Sequence, residues 1–157
     1  MSMQTATEPA RSIAPPIAIR RFEVPDIHYH GGWLIKRFVA AYPHISERQL
    51  PGWLQATVYN NEFLFLFQEN SCALAQMLRP DPFTPKTVIY ERFVWARDPK
   101  NQDHVAEAAR FYERFKVWAA QHEASHIVVG EVTDVPREMI GAIMGKLLER
   151  RELFARL

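Results

Sequence analysis

The chain has 157 residues, 48% of them hydrophobic, which is enough for one globular domain with a sizeable core. Its 19 basic and 18 acidic residues leave a net charge of +1, so it carries no electrostatic footprint for nucleic acid or an anionic membrane. The lone Cys72 has no partner for an internal disulfide and fits a reducing compartment. No apolar stretch approaches the roughly 18 residues that a membrane span needs, and no basic-then-apolar leader opens the chain, which points to the cytoplasm.

Residues 1–16 hold three prolines and few large apolar groups, and they read as a flexible tail ahead of a single domain over 17–157. The segment 17–24, IAIRRFEV, reads as a first strand ended by Pro25. From Asp26 to Ala41 the apolar residues Trp33, Leu34, Phe38 and Ala41 recur at helical spacing despite Gly31 and Gly32. Ser46 and Gln49 have the spacing of a capping box, and Pro51 suits the first turn of a helix through Trp53, Leu54, Val58 and Tyr59.

Two β-prone apolar runs follow, FLFLF and CALAQML, separated by the turn residues Glu69, Asn70 and Ser71; together they predict a hairpin. A proline-rich link leads to a long strand over 86–96 that stops before Pro99. One amphipathic helix is predicted next, with Val105, Ala108, Tyr112, Phe115 and Ala119 on the sheet-facing stripe and Glu107, Arg110, Glu113 and Lys116 toward solvent. HIVVGEV then reads as a short strand, and Asp134 and Pro136 start a last helix with Ile140, Ile143 and Leu147 on its buried face. The terminal LFARL returns as a final strand in this reading. The expected class is α+β: a mixed, mainly antiparallel sheet flanked by helices, with one βαβ crossover.

The loop between Asp98 and Val105 opens onto a helix N-terminus, where unpaired N–H groups and a positive dipole end favour an anion. Other constellations are weaker. Asp26, His28 and His30 would share a face if extended, but a polar entry into a helix explains them better than a metal site. His122 and His126 have no further ligand partner nearby, and no metal is expected. Most of the aromatic residues are expected in the core, with Trp95, Phe111 and Trp118 as candidates for an exposed patch.

This element order, from about Ile17 to Leu157, resembles the GNAT N-acetyltransferase superfamily. On that resemblance ERFVWARDP is the fourth strand, HIVVGEV the fifth, and VPREMIGAIMGKLLER the helix after it. The resemblance implies acetyl-CoA as cofactor, its pantetheine arm paired with the fourth-strand backbone at Phe93, Val94 and Trp95. It places the pyrophosphate on the loop Gln102, Asp103, His104, Val105, Ala106, Glu107 and Ala108. It also makes Glu91 the candidate general base, activating an amine through water. The family's phosphate loop reads Gln/Arg-x-x-Gly-x-Gly/Ala; aligned from Asp103 only Ala108 matches, and aligned from Gln102 the glycine positions fall on Val105 and Glu107, while Asp103 and Glu107 set negative charge beside a would-be diphosphate. Met144 stands near the position of the family's acid tyrosine, and a thioether donates no proton. Two functions follow. One is acetyl transfer to an amine, with the cofactor bound weakly or lost. The other is a catalytically degenerate structural or interaction protein, for example a phage virion component, with a protein partner or copies of itself.

Overall fold

The computed structural model describes residues 19–145 apart from Thr84 and Glu131. Along the chain run β1 (Arg20–Arg21), α1 (Val24–Ala41), α2 (Leu50–Val58), β2 (Phe63–Gln68), β3 (Ser71–Leu78) and β4 (Val88–Ala96). They are followed by α3 (Gln102–Ala109), α4 (Phe111–Gln121), β5 (His126–Val128) and α5 (Arg137–Met144). The strands form one sheet in the order β1-β2-β3-β4-β5, antiparallel except for the parallel pair β4–β5. This is the expected α+β architecture with its crossover. The N-terminal tail, Leu147 and the LFARL strand lie outside the described residues.

Side-chain alternation along the strands divides the interior into two cores. Phe65, Phe67, Cys72, Leu74, Phe93 and Trp95 face α1 and α2, meeting Leu34, Phe38, Leu50 and Leu54. Leu64, Leu66, Ala73, Ala75, Ile89, Val94 and Ala96 face α3, α4 and α5, meeting Val105, Tyr112, Phe115 and Ile140. Because both faces are covered, β2 to β4 read as near-continuous apolar runs. A bulge disturbs the β3–β4 register: Ala75 pairs with Glu91 and Leu74 with Phe93, so Arg92 is the extra residue.

Several boundaries depart from the sequence reading, each for a local reason. Pro25 does not end a strand; it sits in the first turn of α1, where its missing N–H costs nothing. The Glu23 N–H instead donates to Asp26 Oδ2 at 2.7 Å, which fixes the helix start. Ser46 and Gln49 form no capping box: α2 starts at Leu50, and its N-cap Gln49 makes no side-chain cap bond. The predicted single helix after Pro99 is two. At the break the Glu107 carbonyl accepts from Arg110 N at 3.2 Å and from Gln68 Nε2 at 2.8 Å, so a side chain from β2 occupies an acceptor at the turn.

Trp95, Phe111 and Trp118 form no surface patch, being 0%, 0% and 6% exposed. They carry too much apolar area for a domain of this size to leave outside when two sheet faces need covering. Among the described residues the exposed large aromatics are Tyr29, Trp53, Tyr59 and Phe83.

Candidate functional site

The region to which the resemblance directs attention is the C-terminal half of β4, the β5–α5 loop and the start of α3. β5 lies parallel to β4 through Val88–His126, Ile89–Ile127 and Tyr90–Val128. Beyond that ladder the two segments stay together. A Cβ at Gly130 would meet the Glu91 carbonyl oxygen at 2.9 Å, so only glycine permits this approach. A further parallel bridge joins Val94 and Thr133.

The strand edge is consequently occupied by the chain itself. Val94 N–H donates to Val132 O at 3.4 Å, and Val94 O accepts from Asp134 N at 3.0 Å. Ala96 N–H donates to Asp134 Oδ2 at 2.9 Å, and Ala96 O accepts from Arg37 Nη1 at 3.0 Å. Arg37 also grips both Asp134 oxygens, Nη1 to Oδ2 at 2.7 Å and Nη2 to Oδ1 at 2.6 Å, a forked pair in which geometry adds to charge. Its guanidinium lies 5.3 Å from the Trp95 ring centroid.

The start of α3 is likewise closed. The Asn101 side chain caps the helix, accepting from Asp103 N at 2.9 Å and His104 N at 3.3 Å. His104 Nδ1 accepts from Asp98 N at 3.2 Å, folding the imidazole back onto the preceding loop. Asp103 and Ala106 are exposed, whereas Val105 and Ala108 are buried under the sheet. Glu107 corrects the sequence reading: it is half-buried and does not face solvent. Its Oε2 accepts from Asn70 N at 3.0 Å and Ser71 Oγ at 2.5 Å, pinning α3 to the β2–β3 turn. Lys116, also expected in solvent, is half-buried and donates to the Ile143 carbonyl at 2.9 Å.

These observations decide the fit of acetyl-CoA to the described residues. A diphosphate at α3 would have to displace the Asn101 cap beside the Asp103 carboxylate. A pantetheine arm along β4 would have to displace Val132, Asp134 and Arg37. The site as folded does not fit the cofactor.

Of the predicted site residues, Glu91 has its carboxylate in the core, 1% exposed, accepting from the Tyr112 hydroxyl at 3.1 Å. Tyr112 in turn lies 2.9 Å from Thr133 Oγ1. Phe93 and Trp95 point to the opposite core, where their rings stack at 4.0 Å. Met144, near the family's acid position, is buried at 3%. Among the described residues no group of three or more His, Cys, Asp or Glu could hold a metal, and Asp26, His28 and His30 lie on a helix.

Sequence reasoning did not single out Arg37 or Asn101, and it used Asp134 only as a helix start. Asn101, three residues before His104 and just after Pro99, has an N-cap signature that was there to be read. Arg37 gave no comparable signal, because its partner is 97 positions away.

The fold is that of the GNAT N-acetyltransferases. The chain is similar to a solved structure described as a probable acetyltransferase, at 11% identity and a TM-score of 0.60, over 83% of this chain and 87% of that one. It is similar to the ribosomal-protein-alanine N-acetyltransferase of Brucella melitensis biovar Abortus 2308, at 12% identity and a TM-score of 0.52, over 89% and 90%. The aminoglycoside 6'-N-acetyltransferase of Acinetobacter baumannii matches at 9% identity and a TM-score of 0.53, over 83% and 88%. The sequence matches no family model and no curated protein. At such identities the likeness defines the fold and leaves the activity to the site.

Proposed function

We propose that this protein is a GNAT-fold binding protein that works without turnover of acetyl-CoA, with another protein chain or further copies of itself as partner. A phage virion component is one setting for such a role. The observation that supports the reading is the sealed β4 edge, at which the N–H and C=O of both Val94 and Ala96 are already paired within the chain. The test is a calorimetric titration with acetyl-CoA. The expected result is a Kd in the millimolar range or weaker, a binding free energy no better than about −4 kcal/mol. Micromolar binding would overturn this reading.

The second reading is acetyl transfer from acetyl-CoA to an amine. One observation favours it: Glu91, Tyr112 and Thr133 bring a carboxyl and two hydroxyls together between β4, α4 and the β5–α5 loop. Release of free thiol from acetyl-CoA in the presence of an amine panel, abolished by Glu91→Gln, would put this reading first.

A further inference from the structure

The two arginines of β1 part across the sheet. Arg20 lies opposite Phe67 and Arg21 opposite Leu66, and residues paired in this way share a face. Arg20 goes to the α1 side, where it forks onto both Asp26 oxygens at 2.7 Å and lies 4.5 Å from the Phe67 ring centroid. Arg21 goes to the α4 side, the face of Leu64 and Leu66. Opposite it, Arg114, Trp118 and Gln121 recur at helical spacing and form one stripe of α4.

These side chains line a cavity of about 300 Å³ at the β1 end of the sheet. That volume stands at the lower end of the range for small-molecule sites. No Asp or Glu is part of the lining. Among the described residues neither the Arg21 nor the Arg114 guanidinium has a hydrogen bond or an ion pair. Glu113, the residue before Arg114, is turned to Lys116 at 3.6 Å. A chain with a net charge of only +1 thus sets two uncompensated cations beside one apolar floor. The two repel each other, and an anion between them relieves that repulsion.

We propose that this cavity binds a small organic anion with an apolar body. Its carboxylate or phosphate head lies between Arg21 and Arg114, whose planar forks suit either group. Its ring or chain rests on Leu64, Leu66 and Trp118. β2 and β3 separate β1 from β4, so the site stands apart from the closed β4 edge, and the acetyl-CoA titration does not bear on it.

The test is an NMR titration of the full chain that follows the Trp118 indole N–H, assigned with Trp118→Phe. Phenylacetate and phenyl phosphate supply the two head groups, and the tighter of them identifies the one preferred. Phenylacetamide, the neutral isostere, should bind about ten-fold or more weakly than phenylacetate, and inorganic phosphate should bind more weakly than phenyl phosphate. Arg21→Gln and Arg114→Gln should each weaken binding about five-fold or more, since each removes a charged donor from the head group. Both positions are exposed, so both variants should keep the melting temperature of the unmodified chain. Arg48→Gln removes the same charge at an exposed position outside the cavity and should leave binding unchanged.

Four results would overturn the proposal. Equal binding of phenylacetamide and phenylacetate would make the cavity a plain apolar hollow. Inorganic phosphate binding as tightly as phenyl phosphate, or an equal loss in Arg48→Gln, would reduce the effect to surface charge. A shift at the Trp53 indole instead of Trp118 would put the ligand in the separate apolar cavity beside Phe38. No shift of Trp118 with either anion would leave the arginines without a ligand.

Discussion

Tyr112 donates its phenolic hydrogen to Glu91 across 3.1 Å, in a part of the core where the tyrosine is 0% and the glutamate 1% exposed. The contact ties the middle of β4 to α4. Thr133 extends it to the β5–α5 loop, and its hydroxyl also accepts from Val135 N at 3.2 Å. The residue proposed from sequence as a general base is thus also a junction of three elements.

That junction separates two effects of changing Tyr112. Removing only the hydroxyl, in Tyr112→Phe, leaves buried polar groups short of a partner and should cost about 1–3 kcal/mol. Tyr112→Ala also removes the ring and should cost about 3–5 kcal/mol. Exposed Glu113, on the same helix, should cost under about 0.5 kcal/mol on replacement by Ala. Urea unfolding of the three variants gives the comparison, and equal losses at positions 112 and 113 would contradict the packing of α4.

Glu107 offers a second contrast. Glu107→Ala strips the acceptor from Asn70 N and Ser71 Oγ and should destabilise by about 1–3 kcal/mol. Asp103→Ala, at an exposed first-turn position, should cost at most about 1 kcal/mol through the helix dipole. Melting curves of the two variants distinguish an anchored glutamate from a carboxylate that only adds charge to the first turn of α3.

Glycines allow a stereochemical test. Gly130→Ala places a methyl 2.9 Å from the Glu91 carbonyl oxygen and should destabilise by about 1–3 kcal/mol, as overpacking does. Gly32→Ala, an exposed position in α1 with nothing within 4 Å of the added carbon, should stabilise by up to about 1 kcal/mol. Chemical denaturation should show shifts of opposite sign.

His30 and Asp26 each contribute to how stability changes in acid. Burial lowers the His30 pKa from its ordinary 6.5, with Arg97 and Arg20 adding to the effect and Asp26 opposing it. The unfolded chain therefore takes up this proton before the folded one, and stability should begin to fall as pH drops below about 6.5. For Asp26 burial acts upward, but the hydrogen bonds from Arg20 and the Glu23 N–H and the Arg20 charge prevail, so its carboxyl lies below its ordinary 3.8. Its contribution is complete above that value and is lost as pH falls through the lower folded one. Melting temperature measured against pH should show both windows, and His30→Gln should remove the upper one and narrow the lower, because the His30 charge also helps to lower the Asp26 pKa.

Much of the fold was legible in the sequence because periodicity reports which face of an element meets a core. FLFLF and CALAQML pair as the predicted hairpin, and Val105, Ala108, Tyr112 and Phe115 all face the sheet. Local stereochemistry misled at Pro25, since a proline that ends a strand and one that begins a helix look alike without the Asp26 contact. The break at Arg110 was invisible for a different reason. No glycine or proline marks it, and it coincides with Gln68, 39 positions away, reaching the Glu107 carbonyl.

The candidate site divides along the same line. The sequence by itself determined the order of strands and helices as far as β4, the βαβ crossover and the absence of the motif glycines within α3, because these depend on neighbours a few residues apart. Only the tertiary structure decided the state of the site: Asn101 turned inward as a cap, Glu107 drawn to the hairpin, and Arg37 and Asp134 closing the edge of β4. Each of the last two joins groups dozens of positions apart, with no fixed spacing to betray it. Hydrogen bonds and charge pairs act over a few ångströms, so which polar groups meet is settled only once the apolar faces have folded the chain.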